Sequence, residues 1–200
     1  MTAKILLIAC GALADELVQL VRLNQWRHVR IRCLPPGLHN EPAKIPEAVR
    51  AQIEKSQGKY DKVFVAYGDC GTGGKLDEVL TEYGVERLPG AHCYEFFTGS
   101  GEFRTMADAE PGTFYLTNFL ARHFDRLVRK GLGIDERPEL KDVYFANYRR
   151  LVFLAQHDDA ELNKLAEKHA RFLGLEYQYH YTGTAHVEQR LKEQVLRWQE

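Results

Sequence analysis

The sequence predicts a three-layer α/β fold: a doubly wound, mostly parallel sheet with helices on both faces. Short apolar runs of strand length alternate with amphipathic stretches of helical period, the order that βαβ units produce. The run at 62–67, KVFVAY, is apolar almost throughout, as a parallel strand covered on both faces has to be. Turns carrying glycine or proline punctuate the chain between these segments.

Taken in order, residues 4–9 form a first strand, Cys10-Gly11 a turn, and 13–23 a helix with apolar residues at 13, 17, 20, 21 and 23. Residues 29–34 alternate with basic positions as a second strand, ended by Pro35-Pro36-Gly37 and a loop through Leu38, His39, Asn40, Glu41 and Pro42. Pro46 suits the first residue of a helix that reaches residue 56. The third strand, 62–67, leads through the glycine-rich turn 68–74 into a helix over 75–83. A short fourth strand fits 85–88, followed by Pro89-Gly90-Ala91-His92-Cys93-Tyr94 and the stretch Glu95-Phe96-Phe97. Residues 98–112 read as loop and 117–129 as a helix that Gly131 and Gly133 end. A strand at 150–156, a helix at 160–173 capped by Asp158 or Asp159, a last strand at 175–181 and a last helix at 187–198 complete the pattern, which is Rossmann-like. No repeat, low-complexity tract or linker divides it, so residues 1–200 are expected to be a single α/β domain.

Composition removes several function classes. The 200 residues carry 27 Lys+Arg against 28 Asp+Glu, a net charge of -1, with no electrostatic case for nucleic acid or an anionic membrane as partner. The 44% hydrophobic content suits one sizeable core. No apolar run approaches the roughly 20 residues that cross a bilayer. The opening run of about five apolar residues after Lys4 is too short for a signal peptide, so a cytoplasmic location is expected. The four cysteines, Cys10, Cys33, Cys70 and Cys93, form no close-spaced zinc pattern, and a reducing compartment argues against disulfides. Any metal site must be assembled in space.

The strand ends offer the means. Cys10 follows the first strand, His39 the second, Cys70 the third and His92-Cys93 the fourth. In open parallel sheets the loops beyond the strands' carboxyl ends gather on one rim and hold the ligand. Cys10, Cys70 and Cys93, with His39 or His92 as a further ligand, therefore read as a metal site. Such donors suit a tetrahedral Zn2+ with one position left open, and three thiolates equally suit an iron–sulfur cluster with one open iron. Two other readings stand beside this one. Cys70 at a helix start is placed to be a nucleophile, since N–H groups there lower a thiol pKa. All three cysteines also fit simply as small residues in tight turns.

Other polar residues carry narrower expectations. Glu95, Asp69 or His157 is assigned proton transfer, although His157-Asp158-Asp159 equally fits a helix cap. Glu16 and Glu95 are placed to orient metal ligands, and Thr113 and Thr117 to line a pocket. Tyr94, Phe96, Phe97 and Phe103 read as core, or as the wall of an apolar cavity beside Cys93. Cys33, inside a strand, is expected to be buried filler, and His28, His123, His169 and His186 to lie at the surface. The 68–74 turn fails both phosphate-binding fingerprints: Leu76 stands where a P-loop needs Ser or Thr, Asp69 where it needs Gly, and no Gly-x-Gly-x-x-Gly fits.

The same blocks carry a resemblance. Ile8-Ala9-Cys10-Gly11-Ala12-Leu13, Leu34-Pro35 with Leu38-His39-Asn40, Tyr67-Gly68-Asp69-Cys70-Gly71 and the block from Leu88 to Glu95 resemble signature blocks of the prokaryotic domain-of-unknown-function family 1638. Gly112-Thr113-Phe114-Tyr115-Leu116-Thr117 and Asn147-Tyr148 are similar to its later blocks. Members are often encoded beside corrinoid-dependent methyltransferases and the corrinoid proteins that demethylate methylated amines. The resemblance thus implies an enzyme acting on a small thiol or methylated amine in one-carbon metabolism. Its alternative is a non-catalytic accessory that handles a metal or a corrinoid for a methyltransferase system. The implied partners are a small-molecule ligand and a corrinoid protein or methyltransferase, and the aromatic content is compatible with a homo-oligomer. Cysteines at successive strand ends are also similar in arrangement to the cluster site of quinolinate synthase, an analogy of architecture that keeps the iron–sulfur alternative open.

Overall fold

A computed structural model describes residues 3–197. The chain runs β1 (Ile5–Cys10), α1 (Ala14–Leu23), β2 (Val29–Leu34), α2 (Ile45–Ser56), β3 (Lys62–Ala66), α3 (Lys75–Tyr83), β4 (Glu86–Arg87), α4 (Glu95–Thr98), α5 (Ser100–Ala109), β5 (Thr113–Thr117), α6 (Asn118–Arg122), α7 (Glu139–Phe145), β6 (Arg150–Ala155), α8 (Ala160–Leu173), β7 (Glu176–Tyr181) and α9 (Ala185–Arg197). The α/β class and the parallel pairing are as the sequence predicts, and the strands are shared between two sheets, ordered β2-β1-β3-β4 and β5-β6-β7. The elements form two compact units: the chain through Phe96 together with the segment from Val187 onward, and Phe97–His186. Trp198, expected at the end of the last helix, lies outside the described residues.

In the first unit β1 is central, and all six of its residues are buried. It pairs in parallel with β2, Ile5 beside Val29 through Cys10 beside Leu34, and with β3, Ile5 beside Lys62 through Ala9 beside Ala66. The helices cover this sheet with Leu17 and Leu20 of α1, Val49 and Ile53 of α2, and Leu76 and Leu80 of α3, all buried. An all-apolar strand is stable only between two such layers. β2 is an edge, and its exposed Arg30 and Arg32 blunt it against pairing with another chain. Cys33 is exposed on this strand, because an edge has a neighbour on one side only; the expectation of a buried filler is corrected.

In the second unit β6 takes the central place, with Leu151, Phe153 and Ala155 in a core shared with Leu116 of β5, Phe124, and Ala166 and Ala170 of α8. Residues 100–109, expected as loop, are helical. The helix expected over 117–129 is broken: Thr117 caps α6 through the Leu120 N–H, α6 ends at Arg122, and a separate π-helical turn covers Asp125–Lys130. His169 is buried rather than at the surface. It lies on the apolar face of α8 with Leu162, Ala166 and Leu173, stacks on Phe124 at 4.0 Å and donates from Nε2 to the Ala121 carbonyl at 3.0 Å. Among the described residues no helix is long and apolar enough to cross a membrane.

Candidate metal centre

Strand order sets the position of the site. In the order β2-β1-β3-β4 the chain moves from β1 to one neighbour and then returns to the other side, so the reversal falls between β1 and β3. The two loops that leave those strands there diverge, and the crevice they open is where α/β sheets bind ligands. Cys10 is the last residue of β1, and Tyr67-Gly68-Asp69-Cys70 leaves β3.

The β3 exit is stitched to the turn that carries Cys93. The Asp69 N–H donates to the Gly90 carbonyl at 3.0 Å and the Cys70 N–H to that of Ala91 at 2.8 Å. Gly68 makes this approach possible: a Cβ there would lie 2.8 Å from the His92 carbonyl carbon and 3.1 Å from the Cys93 nitrogen. Its N–H reaches the Cys93 sulfur at 3.5 Å. Cys70 itself has φ of +50°, a left-handed backbone that costs a non-glycine residue energy and that collects at functional sites.

The two acidic candidates of this unit shape the same loops. Asp69 accepts from the Thr72 hydroxyl at 2.6 Å and from the Gly73 and Gly74 N–H groups at 3.1 and 2.8 Å. Burial pushes its carboxyl up, but those hydrogen bonds outweigh it and hold the group below the usual carboxylate range. Glu95 is buried and accepts from the N–H groups of Ala91 at 2.6 Å and His92 at 3.2 Å, which fixes the turn just before Cys93.

The resulting cluster has three members. One ligand atom each from His39, Cys70 and Cys93 lies within 4.8 Å of the other two, and the Cys70 and Cys93 sulfurs are 3.2 Å apart. Cys10 is not in this group but stands next to it, its sulfur 3.8 Å from His39 Nδ1 and accepting the Ala12 N–H at 3.3 Å. His39 Nδ1 is 3.1 Å from the Pro36 carbonyl. A carbonyl only accepts, so Nδ1 carries the proton and Nε2 is the nitrogen left to ligate. Of the two histidines the sequence offered, the structure brings His39 into the group. The exposed His92 ring lies tilted against Tyr94, 6.3 Å between centroids.

Electrostatics follow from crowding. Hydrogen bonding to Cys93, working against burial and helped by His39, holds the Cys70 thiol down, and the same contact together with burial pushes Cys93 up. Burial lowers His39, but its contacts with Cys10 and Cys70 raise it to about 10.

Tyr67 is the residue that the sequence reading passed over as the last position of a strand. It is 0% exposed, and its ring stacks on His39 at 6.0 Å and 13°. Its hydroxyl has no hydrogen-bond partner among the described residues. Burial first, then the charges of Cys10 and Cys93, a side-chain contact with the Cys10 sulfur too poorly aligned to count as a hydrogen bond, and the charge of Cys70 raise its pKa. The available signal was a tyrosine closing an apolar strand directly before a Gly-Asp-Cys turn.

His157 belongs to the second unit and is exposed, its carbonyl accepting from the Asn118 side chain at 3.3 Å; the helix cap beside it is Asp159. Thr113 is tied to Arg150 and to the Glu110 carbonyl, while Thr117 serves as the α6 cap. Glu16 is buried on α1, and Phe96, Phe97 and Phe103 are core residues.

No curated protein and no solved structure matches the chain. A family model described as "Protein of unknown function (DUF1638)" matches residues 33–191, a span that includes His39, Cys70 and Cys93, and the chain belongs to that family.

Proposed function

We propose that the chain binds one zinc ion through His39, Cys70 and Cys93 and offers the fourth position to a small ligand. The observation that carries this is the convergence of those three donors within 4.8 Å at the reversal of strand order. The spacing fits the ion. Zinc–sulfur bonds of about 2.3 Å in a tetrahedron set two sulfurs roughly 3.8 Å apart, so the pair now at 3.2 Å opens by only a fraction of an ångström. One imidazole and two thiolates suit zinc better than an iron–sulfur cluster, whose irons are held chiefly by thiolates.

When bound, zinc supplies Lewis acidity at the open position. The chain's own residues supply order. Pro36 fixes the tautomer of His39, Gly68 donates to the Cys93 sulfur, and Asp69 and Glu95 clamp the two cysteine loops through their N–H groups. A small thiol or a methylated amine, as the family resemblance implies, is the ligand class for the open position, within an enzyme of one-carbon metabolism.

Metal and acid-labile sulfide analysis of protein purified without oxygen tests the proposal. One zinc per chain without sulfide is expected, and its loss in His39→Ala, Cys70→Ser and Cys93→Ser. Iron with sulfide would replace zinc by a cluster, and a chain that stays empty after reconstitution overturns the metal site. With the metal in place, turnover of a thiol or methylated amine marks an enzyme. A stoichiometric complex with a corrinoid protein or methyltransferase, without turnover, marks the accessory.

A further inference from the structure

We infer that the Tyr67 hydroxyl is the site's specificity group, and that it selects a small thiol, bound as its thiolate, over an amine at the open position. This rests on the zinc reading above and names its ligand. The juxtaposition behind it is a fully buried hydroxyl whose ring stacks on His39 and whose polar neighbour, the Cys10 sulfur, is a weak acceptor that makes no well-formed hydrogen bond with it.

A buried hydroxyl with only a poorly placed sulfur for an acceptor is disfavoured, and phenylalanine would fill the same space without that cost. The stack on His39 accounts for the ring, since phenylalanine would stack as well; it leaves the oxygen unexplained. An oxygen so placed is satisfied when an acceptor enters the group. The position left open by His39, Cys70 and Cys93 is where such an acceptor would arrive.

Lone pairs decide which ligand fits. A thiolate sulfur has three, so one can bind the metal while another accepts the Tyr67 O–H. An amine has a single lone pair and spends it on the metal, leaving only N–H or C–H groups toward the hydroxyl, which still lacks an acceptor. Charge agrees. A divalent ion with two thiolates and a neutral imidazole sums to zero, so an entering thiolate brings one net negative charge. A buried O–H donor aimed at that charge is worth more than one in water. No bond to carbon is made or broken in this step; the thiol proton leaves to solvent as sulfur binds.

Cobalt-loaded protein gives a readout independent of turnover. Sulfur-to-cobalt charge-transfer absorption is titrated with 2-mercaptoethanol and, separately, with trimethylamine, in the wild type and in Tyr67→Phe. The wild type is expected to gain about half again in charge-transfer intensity with the thiol, as two sulfur ligands become three, and to bind the amine more weakly. Tyr67→Phe should load cobalt with the same resting spectrum, melt no lower than the wild type, and bind the thiol about tenfold more weakly, the size expected for losing one hydrogen bond to a charged group. Unchanged thiol affinity in Tyr67→Phe, or tighter binding of the amine by the wild type, overturns this inference and leaves the zinc reading intact. A wild type that takes up no cobalt overturns both.

Discussion

Gly68 admits no side chain, because even a methyl group would stand 2.8 Å from the backbone of His92. Gly68→Ala must therefore push the β3 exit away from the Cys93 turn, with an expected cost of about 1–3 kcal/mol, as for other overpacked sites. It should also lower metal occupancy without touching a ligand, read by thermal melting and metal analysis on the same sample. Cys70 poses the opposite case. At φ of +50° alanine keeps the backbone penalty and glycine relieves it. Cys70→Gly is expected to be more stable than Cys70→Ala by about 1 kcal/mol, reversing the usual order of these residues, although both lose the metal. Denaturant titration of the two variants measures the difference. The alternation of residue types in the sequence contains neither fact, since both depend on which loops meet.

The helices show how local chemistry and packing divide the work. Asp159 caps α8 by accepting from the Glu161 and Leu162 N–H groups at 3.0 and 3.1 Å, and Gly174 closes the helix in a left-handed conformation. Asp159→Ala is expected to cost about 1 kcal/mol in denaturant midpoint analysis, the usual value of such a cap. His169, on the same helix, ties α8 to α6 while buried. Burial lowers its pKa, and the Ala121 contact only partly offsets this. The unfolded chain thus takes up the proton at a higher pH than the folded one. This contribution to stability is present above the ordinary histidine value of about 6.5 and declines as pH falls below it. Between about pH 7.5 and about pH 5.5, the wild-type melting temperature should fall further than that of His169→Gln, which keeps a donor but does not titrate.

At the scale of the whole chain, topology chooses among donors that the sequence presents as equals. The strand order joins His39, Cys70 and Cys93, sets Cys10 beside His39 and leaves the His92 ring exposed. On the zinc reading, His92→Ala should hold the metal as the wild type does, while Cys10→Ser, which disturbs the surroundings of both His39 and Tyr67, should weaken binding about tenfold. Competition with a chelator separates the two outcomes from the losses expected at positions 39, 70 and 93. Much of the fold was legible beforehand. The apolar runs of β1, β3 and β6, the period of α1 and α8 and the Asp159 cap are local patterns that packing reinforces. So was the gathering of thiol and imidazole donors beyond the strand ends of the first sheet, because the β-to-α loops of one parallel sheet leave on the same rim. What the sequence by itself determined was the class of fold and the pool of thiol and imidazole donors. Tertiary structure decided which three converge, why Gly68 and the left-handed Cys70 are needed, where the strands part into two sheets, and that the Tyr67 hydroxyl is buried without a well-formed hydrogen bond. These depend on contacts between residues that are distant along the chain, and the periodicity of a sequence reports only neighbours within a few turns or strand repeats.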